Sequence, residues 1–350
     1  MHKRRMLAGF LNDTGVLSKL LSVRARTGAP WLSILTYHRF PAGDGSEHFD
    51  DGVIDTTAEE FECHVVCLKR HFTVVGVDEL CVFAAGGELP ANAIAITFDD
   101  GYLDNYAQAL PILSRHACKA IFFVATSFIT ERRLYWWDRV AYQVKQTTKD
   151  ALVLRYPSLF RVDLRDRPTA IFKLLRFIKA GRGFDMERLF DELTLATGVA
   201  WSRELERAFA DQLLMTWDHV RALKQAGMDV QSHTRNHRLL QSLPPEQLRS
   251  ELEGSRADLL RELDEPPRAL AYPIGKPLEP ASPIRAAMQR AGYTIGLTNG
   301  TGPTPTWGRR DPYDIRRQTV ARNLSVPYLL SILALPPLAP KHPWHTAKVE

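Results

Sequence analysis

Two adjacent acids, Asp99 and Asp100, close a short apolar run, Ile94–Phe98, inside the stretch Ala91–Tyr106. Gly101 then permits a tight turn, and Asn105 and Tyr106 lead into a helical pattern. A buried strand that ends on two carboxylates is costly unless they are paired, hydrogen-bonded or bound to a metal. Neighbouring side chains on a strand point opposite ways, and that geometry loosens at the strand end. One acid can then bind a cation while the other faces a substrate; the alternative is that both only cap the next helix. Far downstream, the strand-like run Met228–Ser232 ends in His233-Thr234-Arg235-Asn236-His237. Two histidines four apart share one face of a helical turn, a spacing that suits a single metal ion. An Asp/His/His set leaves coordination positions open, which marks a catalytic metal rather than a structural one.

These two stretches carry a resemblance. Thr97-Phe98-Asp99-Asp100-Gly101 matches the TFDDG pattern, and His233 to His237 matches the H(S/T)xxH pattern, of the polysaccharide deacetylases with a NodB-type domain. Both matches are complete and in order, and the similarity covers Leu32 to about Arg317. The resemblance implies that Asp100, His233 and His237 hold a divalent metal and that Asp99 is the catalytic base. Zinc suits such a set, as do cobalt, nickel and manganese. It also implies an irregular (β/α)7 barrel and removal of N-acetyl groups from an amino-sugar polysaccharide or glycan precursor, a lipid-linked sugar included. Two other readings compete: a different C–N amide hydrolase on the same scaffold, and a non-catalytic glycan-binding relative. The intact Asp99, Asp100, His233 and His237 argue against the last.

Three departures from the family pattern set further expectations. The RPPYG-type loop corresponds to Ala271-Tyr272-Pro273-Ile274-Gly275, with Ala271 in place of the arginine and Ile274 in place of the tyrosine. It resembles an AYPxG branch of the family, and Tyr272, Pro273, Ile274 and Gly275 are expected at the substrate. A backbone N–H at Ile274 would serve the oxyanion. Arg317, on the last expected strand, is the candidate to replace the lost arginine; the alternative is an ordinary ion-paired arginine. No LxH-type motif follows Ile315, and His342 and His345 stand in a Pro-rich tail. His38 ends the first strand, which neighbours the last in a closed barrel, so it is the candidate acid for the leaving amine. Its alternative role is a structural partner of Asp99 or Asp100.

The elements that must position these groups read as α/β. Strand-like stretches begin near Leu32, Ile94, Ala120, Met228, Arg268, Tyr293 and Ile315, with helical patterns between them. That alternation argues for parallel strands with helices outside. Thr57 and Glu60 form a capping box ahead of a helix to about Arg70. Thr216 and Gly227 bracket another helix, and Pro244–Leu263 is a long amphipathic one. The loop Pro41–Asp55 is rich in Gly and Asp and reads as exposed.

Three stretches fall outside the alternation. About 130–215 reads as a helical insertion with helices over Thr169–Lys179, Asp185–Ala196 and Glu204–Leu214. Its Trp136 and Trp137 either line a sugar platform or pack the insertion on the barrel. Residues 1–30 read as an amphipathic helical segment that either lies on a membrane surface or docks on its own domain. The deacetylase-like part then runs over 31–334, and 335–350 is a Pro-rich tail.

Composition narrows the partners. With 350 residues and 45% hydrophobic content the chain can bury a large core. A net charge of +5 without a Lys/Arg block or aromatic-basic interleaving excludes a nucleic-acid binder. Weak attraction to an anionic membrane or glycan fits better. Asn12 and Asp13 interrupt the apolar run after the basic start, so it does not read as a signal peptide, and no transmembrane run occurs. Cys63, Cys67, Cys81 and Cys118 make neither a zinc site nor a disulfide framework. Reduced thiols favour a cytoplasmic location, with contact at the inner membrane face through the N-terminal helix as a further expectation.

Overall fold

Seven strand positions ring a central barrel. The structure is a computed structural model that describes residues 2–27, 31–41, 48–181, 185–300, 302–306, 308, 310–322 and 324–335. The tail over 336–350, with His342 and His345, lies outside the described residues. The strands are β1 (Trp31–Tyr37), β2 (Ala93–Phe98), β3 (Ile121–Val124), β4 (Asp229–Ser232), β5 (Ala269–Ala271), β6 (Ile295–Thr298), β7 (Ile315–Arg316) and β8 (Gln318–Thr319). They pair in parallel in that order from β1 to β7, and β8 pairs back on β1. β7 and β8 are one strand interrupted at Arg317, so the ring closes through that residue. All seven expected strands are present. Every residue of β2, β3, β5 and β6 is buried, as in parallel strands covered on both faces.

Alternation decides which side chains point inward. Leu32 and Ile34, Ala93 and Ala95, Ile121 and Phe123, Ala269 and Ala271, Ile295 and Leu297, and Ile315 form one apolar cluster. The residues between them, among them Leu35, Ile94, Ile96 and Phe122, belong to a second cluster against the outer helices. Continued two residues at a time, the inward parity reaches His38, Asp99, His233 and Arg317 at the C-terminal ends of their strands. A barrel of this kind gathers its chemistry at that end.

The N-terminal segment forms two helices, α1 (His2–Asp13) and α2 (Val16–Thr27), joined by Thr14 and Gly15. Gly15 sits at φ 72°, where a side chain would be strained. Helix α3 (Ala58–His71) opens with the Thr57–Glu60 capping box, as its spacing predicts. The loop before it departs from expectation: Phe49, Asp50, Ile54 and Asp55 are buried. They cover the strand ends and meet the insertion, where the Asp50 N–H donates to Asp138 Oδ1.

The insertion holds α4 (Trp136–Gln146), α5 (Arg167–Ala180), α6 (Met186–Thr197) and α7 (Arg203–Leu213). It is not purely helical. Ala151–Leu154 and Phe160–Asp163 pair as an antiparallel hairpin. Leu152, Leu154 and Val162 turn inward at period two and join Leu174, Leu189 and Leu193 in an apolar cluster of their own. Helix α8 (Pro245–Leu263) follows β4, and α9 (Val326–Ala334) follows β8. Both α1 and α2 pack on α9. Ala8, Leu17 and Leu21 are buried there, and the Arg24 guanidinium donates to the Leu333 carbonyl at 2.6 Å. The docking alternative for this segment therefore holds for one face of it. All four cysteines are free, and no described helix is long and apolar enough to cross a membrane.

Candidate active site

Asp99 and Asp100 leave β2 in different directions. Tyr37 pairs with Phe98 across β1 and β2, which sets His38 beside Asp99 at the strand ends. The Asp99 N–H donates to the Tyr37 carbonyl and keeps the strand geometry one residue longer. Its carboxylate receives two parallel bonds from Arg317, Nη1 to Oδ1 and Nη2 to Oδ2, each 2.7 Å. Both side chains are fully buried. Burial alone would raise the Asp99 pKa, but the Arg317 guanidinium, helped by His233, holds it well below the usual carboxylate range. The guanidinium also lies over the Phe123 ring. Arg317 is the arginine that pairs with Asp99, while the side chain of Ala271 has no group that could.

Asp100 adopts φ 75°, which breaks the alternation and swings its side chain to the histidines. Its Oδ1 stands 3.4 Å from Nε2 of His233 and 3.4 Å from Nε2 of His237. That oxygen is buried and has no hydrogen-bond partner. Burial, reinforced by the charges of Asp99, Asp138 and Asp55, pushes the Asp100 pKa up to about 7, against a smaller opposing effect of His38. The His233 Nδ1–H donates to the Ala271 carbonyl at 2.9 Å, which leaves Nε2 as the nitrogen able to ligate. Burial lowers the His233 pKa to about 4 and takes His237 well below its ordinary value, so both rings are neutral. Two neutral imidazoles and an unpartnered buried carboxylate oxygen within 4.8 Å of one another are the donor set a divalent cation takes. The residues present fit such an ion.

The histidine loop is strained and clamped. Thr234 and His237 sit at φ 66° and 50°, and Asp100 and Ile274 at 75° and 65°. Four of the eight described non-glycine residues with positive φ thus lie in this site, each costing about 1–3 kcal/mol. Glu251 of α8 holds the loop: it accepts from the N–H groups of Arg235 and Asn236 and from Asn236 Nδ2. Tyr135 donates to the Asp100 carbonyl at 2.5 Å, and the rings of Tyr135 and Trp137 stand edge-on to His237.

Other expected site residues divide. His38 joins the site at its edge, and its partner is Asp55 rather than Asp99 or Asp100. Asp55 Oδ2 accepts from the His38 backbone N–H at 2.6 Å and lies 3.0 Å from Nδ1. Burial would lower the His38 pKa, but the attraction and hydrogen bond of Asp55 outweigh it and raise it to about 9. Ile274 is at the rim, 41% exposed. Pro273 and Gly275 are buried beside it, and a Cβ on Gly275 would strike Asn299.

Two expectations are corrected. Tyr272 does not face a substrate: its hydroxyl donates to the Tyr313 carbonyl at 3.0 Å, outside the barrel, in space left by the missing side chain of Gly296. Trp137 is no exposed platform: it is 5% exposed, its Nε1–H donates to Tyr102, and its ring stacks on Tyr135. Trp136 is half-buried, edge-on to Trp137, with the Lys179 ammonium 5.8 Å from its ring centre.

Sequence reasoning missed Asp55, Tyr135 and Glu251. Asp55 lay in a stretch whose composition suggested exposure, and the other two carry no spacing relation to the residues they hold. A network from the insertion was missed as well: Tyr102 donates to Asp138, and Arg39, over the Tyr102 ring, pairs with Asp104.

Comparison with known proteins agrees with this geometry. The sequence profile of the family described as "Polysaccharide deacetylase" matches residues 86–159 and 191–296, just over half of the chain. The chain belongs to the polysaccharide deacetylase family. The unmatched gap falls inside the insertion. The Bacillus subtilis protein YxkH is 20% identical over 273 residues; the match covers 77% of this chain and 65% of that relative, so the chain spans slightly less than two thirds of it. Among solved structures, the Streptococcus pyogenes deacetylase PplD, in complex with acetate, superposes with a TM-score of 0.57 at 19% identity, over 87% of this chain and 98% of that one. IcaB from Ammonifex degensii gives 0.53 at 18% identity, again over 87% and 98%. At these identities the likeness establishes the shared fold.

Proposed function

We propose that the chain is a metal-dependent hydrolase that releases acetate from an N-acetylated amino-sugar glycan or glycan precursor. The observation that carries this reading is the unpartnered Asp100 Oδ1, buried between the Nε2 atoms of His233 and His237. These three would hold the metal, zinc first among zinc, cobalt, nickel and manganese. A divalent ion bound there supplies polarisation of the acyl carbonyl and acidification of water.

The protein's own groups do the rest. Asp99 is kept ionised and oriented by Arg317, while each of its oxygens retains a lone pair. It accepts the proton of the attacking water. The Ile274 N–H, on a left-handed residue at the rim, donates to the developing oxyanion. His38, with Nδ1 committed to Asp55, is protonated at neutral pH and gives its Nε2 proton to the leaving amine. Tyr135 and Trp137 keep water from the far side of His237. The complete ligand set and the two-bond Asp99–Arg317 pair favour a hydrolase over a non-catalytic glycan binder.

The test is acetate release over a panel of N-acetylated glycans, soluble and lipid-linked, with metal content measured on the same sample. Release that depends on about one bound metal per chain supports the reading. A metal-loaded protein that releases no acetate from any of them refutes it.

A further inference from the structure

Helices α1 and α2 gather many of the large apolar side chains that are exposed among the described residues. Six of the fourteen large hydrophobic residues exposed among the described residues lie here: Met6, Leu7, Phe10, Val16, Leu20 and Val23. Phe10 is 64% exposed, Met6 63% and Val23 56%. The spacing is regular. Met6 and Phe10 are four apart and Leu7 and Phe10 three apart on α1; Val16, Leu20 and Val23 recur at four and three on α2. Each helix therefore has two apolar stripes. One, through Ala8, Leu17 and Leu21, is packed on α9, and the other is exposed.

Charge says what covers it. Residues 2–27 carry six Lys and Arg against one acid, Asp13. Arg24 is buried and bonded to Leu333, but Arg4, Arg5, Lys19 and Arg26 are exposed. Lys19 follows Val16 by three residues and Arg26 follows Val23 by three, so cations flank the exposed α2 stripe. An apolar strip edged by long basic side chains is the pattern of a helix lying in a membrane interface. Its ammonium and guanidinium groups reach anionic headgroups while the apolar residues enter the acyl boundary. A second copy of this chain fits worse, because a two-fold contact would set the same cations against each other.

We propose that the α1–α2 hairpin docks the protein on an anionic lipid bilayer through Met6, Leu7, Phe10, Val16, Leu20 and Val23, with Arg5, Lys19 and Arg26 at the headgroups. This docking is independent of the reaction proposed above. The test uses the full chain, sedimented with phosphatidylcholine vesicles and with vesicles in which about one lipid in three is phosphatidylglycerol. The protein is expected to pellet with the mixed vesicles at least about tenfold more strongly than with phosphatidylcholine alone. The double substitution Met6→Ser/Phe10→Ser should reduce that retention to the phosphatidylcholine level. So should Lys19→Glu/Arg26→Glu, which removes no apolar packing and keeps the test decisive if the first variant misfolds. Acetate release from a soluble glycan should be unchanged in both. Equal or absent pelleting of the wild type on the two vesicles would overturn the proposal. So would a wild-type dimer that Phe10→Ser dissolves.

Discussion

Asp99 and Asp100 are neighbours in the chain, yet they belong to two regions with opposite electrostatics. Asp99 faces the seam where β7 and β8 meet β1, and a guanidinium grips both its oxygens. Asp100 faces the histidine loop and the insertion, where two neutral rings and other acids surround it and the attraction of His38 does not offset burial. One is held ionised by the protein; the other is short of a cation. The difference arises from a single backbone angle, the positive φ of Asp100, and from the parity that carries Arg317 inward. Proteins that need two carboxylates with different duties can separate them by environment rather than by distance.

That contrast can be broken from either side. The largest effect should come from His237→Ala, which removes a ligand: metal content and acetate release should both be lost, measured on one preparation. Asp99→Asn should leave the metal in place and lower the acetate-release rate by about 10³-fold or more, at the upper part of what a general base contributes. Wild-type-like turnover by that variant would remove Asp99 from the base role. Arg317→Met should leave a buried unpaired carboxylate at Asp99. Breaking such a pair costs about 3–5 kcal/mol, visible as a lowered melting temperature.

Two smaller effects sharpen the comparison. Asp55→Asn should move the alkaline limb of kcat downward by about one pH unit or more, since the carboxylate is what raises His38. The sign follows from the proton: His38 can donate below about 9 in the wild type and only below a lower pH in the variant. The pair's stabilisation is correspondingly full below pH 6.5 and lost as pH rises through about 9. Glu251→Gln should weaken metal binding about tenfold in a competition titration with the fold intact, the smallest effect in the series.

Much of this was legible in the sequence because it depends on local pattern. The strand starts at Ile94 and Met228, the acid pair and the histidine spacing are all contained in short windows, and parity then places Asp99 and His233 on one side. Arg317 could be reached because the loss at Ala271 demanded a substitute and the last expected strand offered an arginine. Asp55, Tyr135 and Glu251 could not, since each holds a residue 15 or more positions away through a contact without periodicity. The hairpin of the insertion was readable in principle: Ala151–Leu154 alternates in burial. A four-residue strand flanked by long helical patterns gives periodicity too little length to register. Tyr272 was misplaced because a family loop was carried over as a block, whereas only part of it turns toward the mouth.

Arg317 lies where the ring of strands is sewn shut, between two dipeptide strands at the end of the wound chain. A nascent polypeptide stopped short of Ile315 would already own Asp100, His233 and His237, and could load its ion with no guanidinium to keep Asp99 at work. On the reading proposed above, the groups that would hold the ion and the guanidinium that keeps the base ionised therefore come from separate parts of the chain, the second only from the strand that closes the ring.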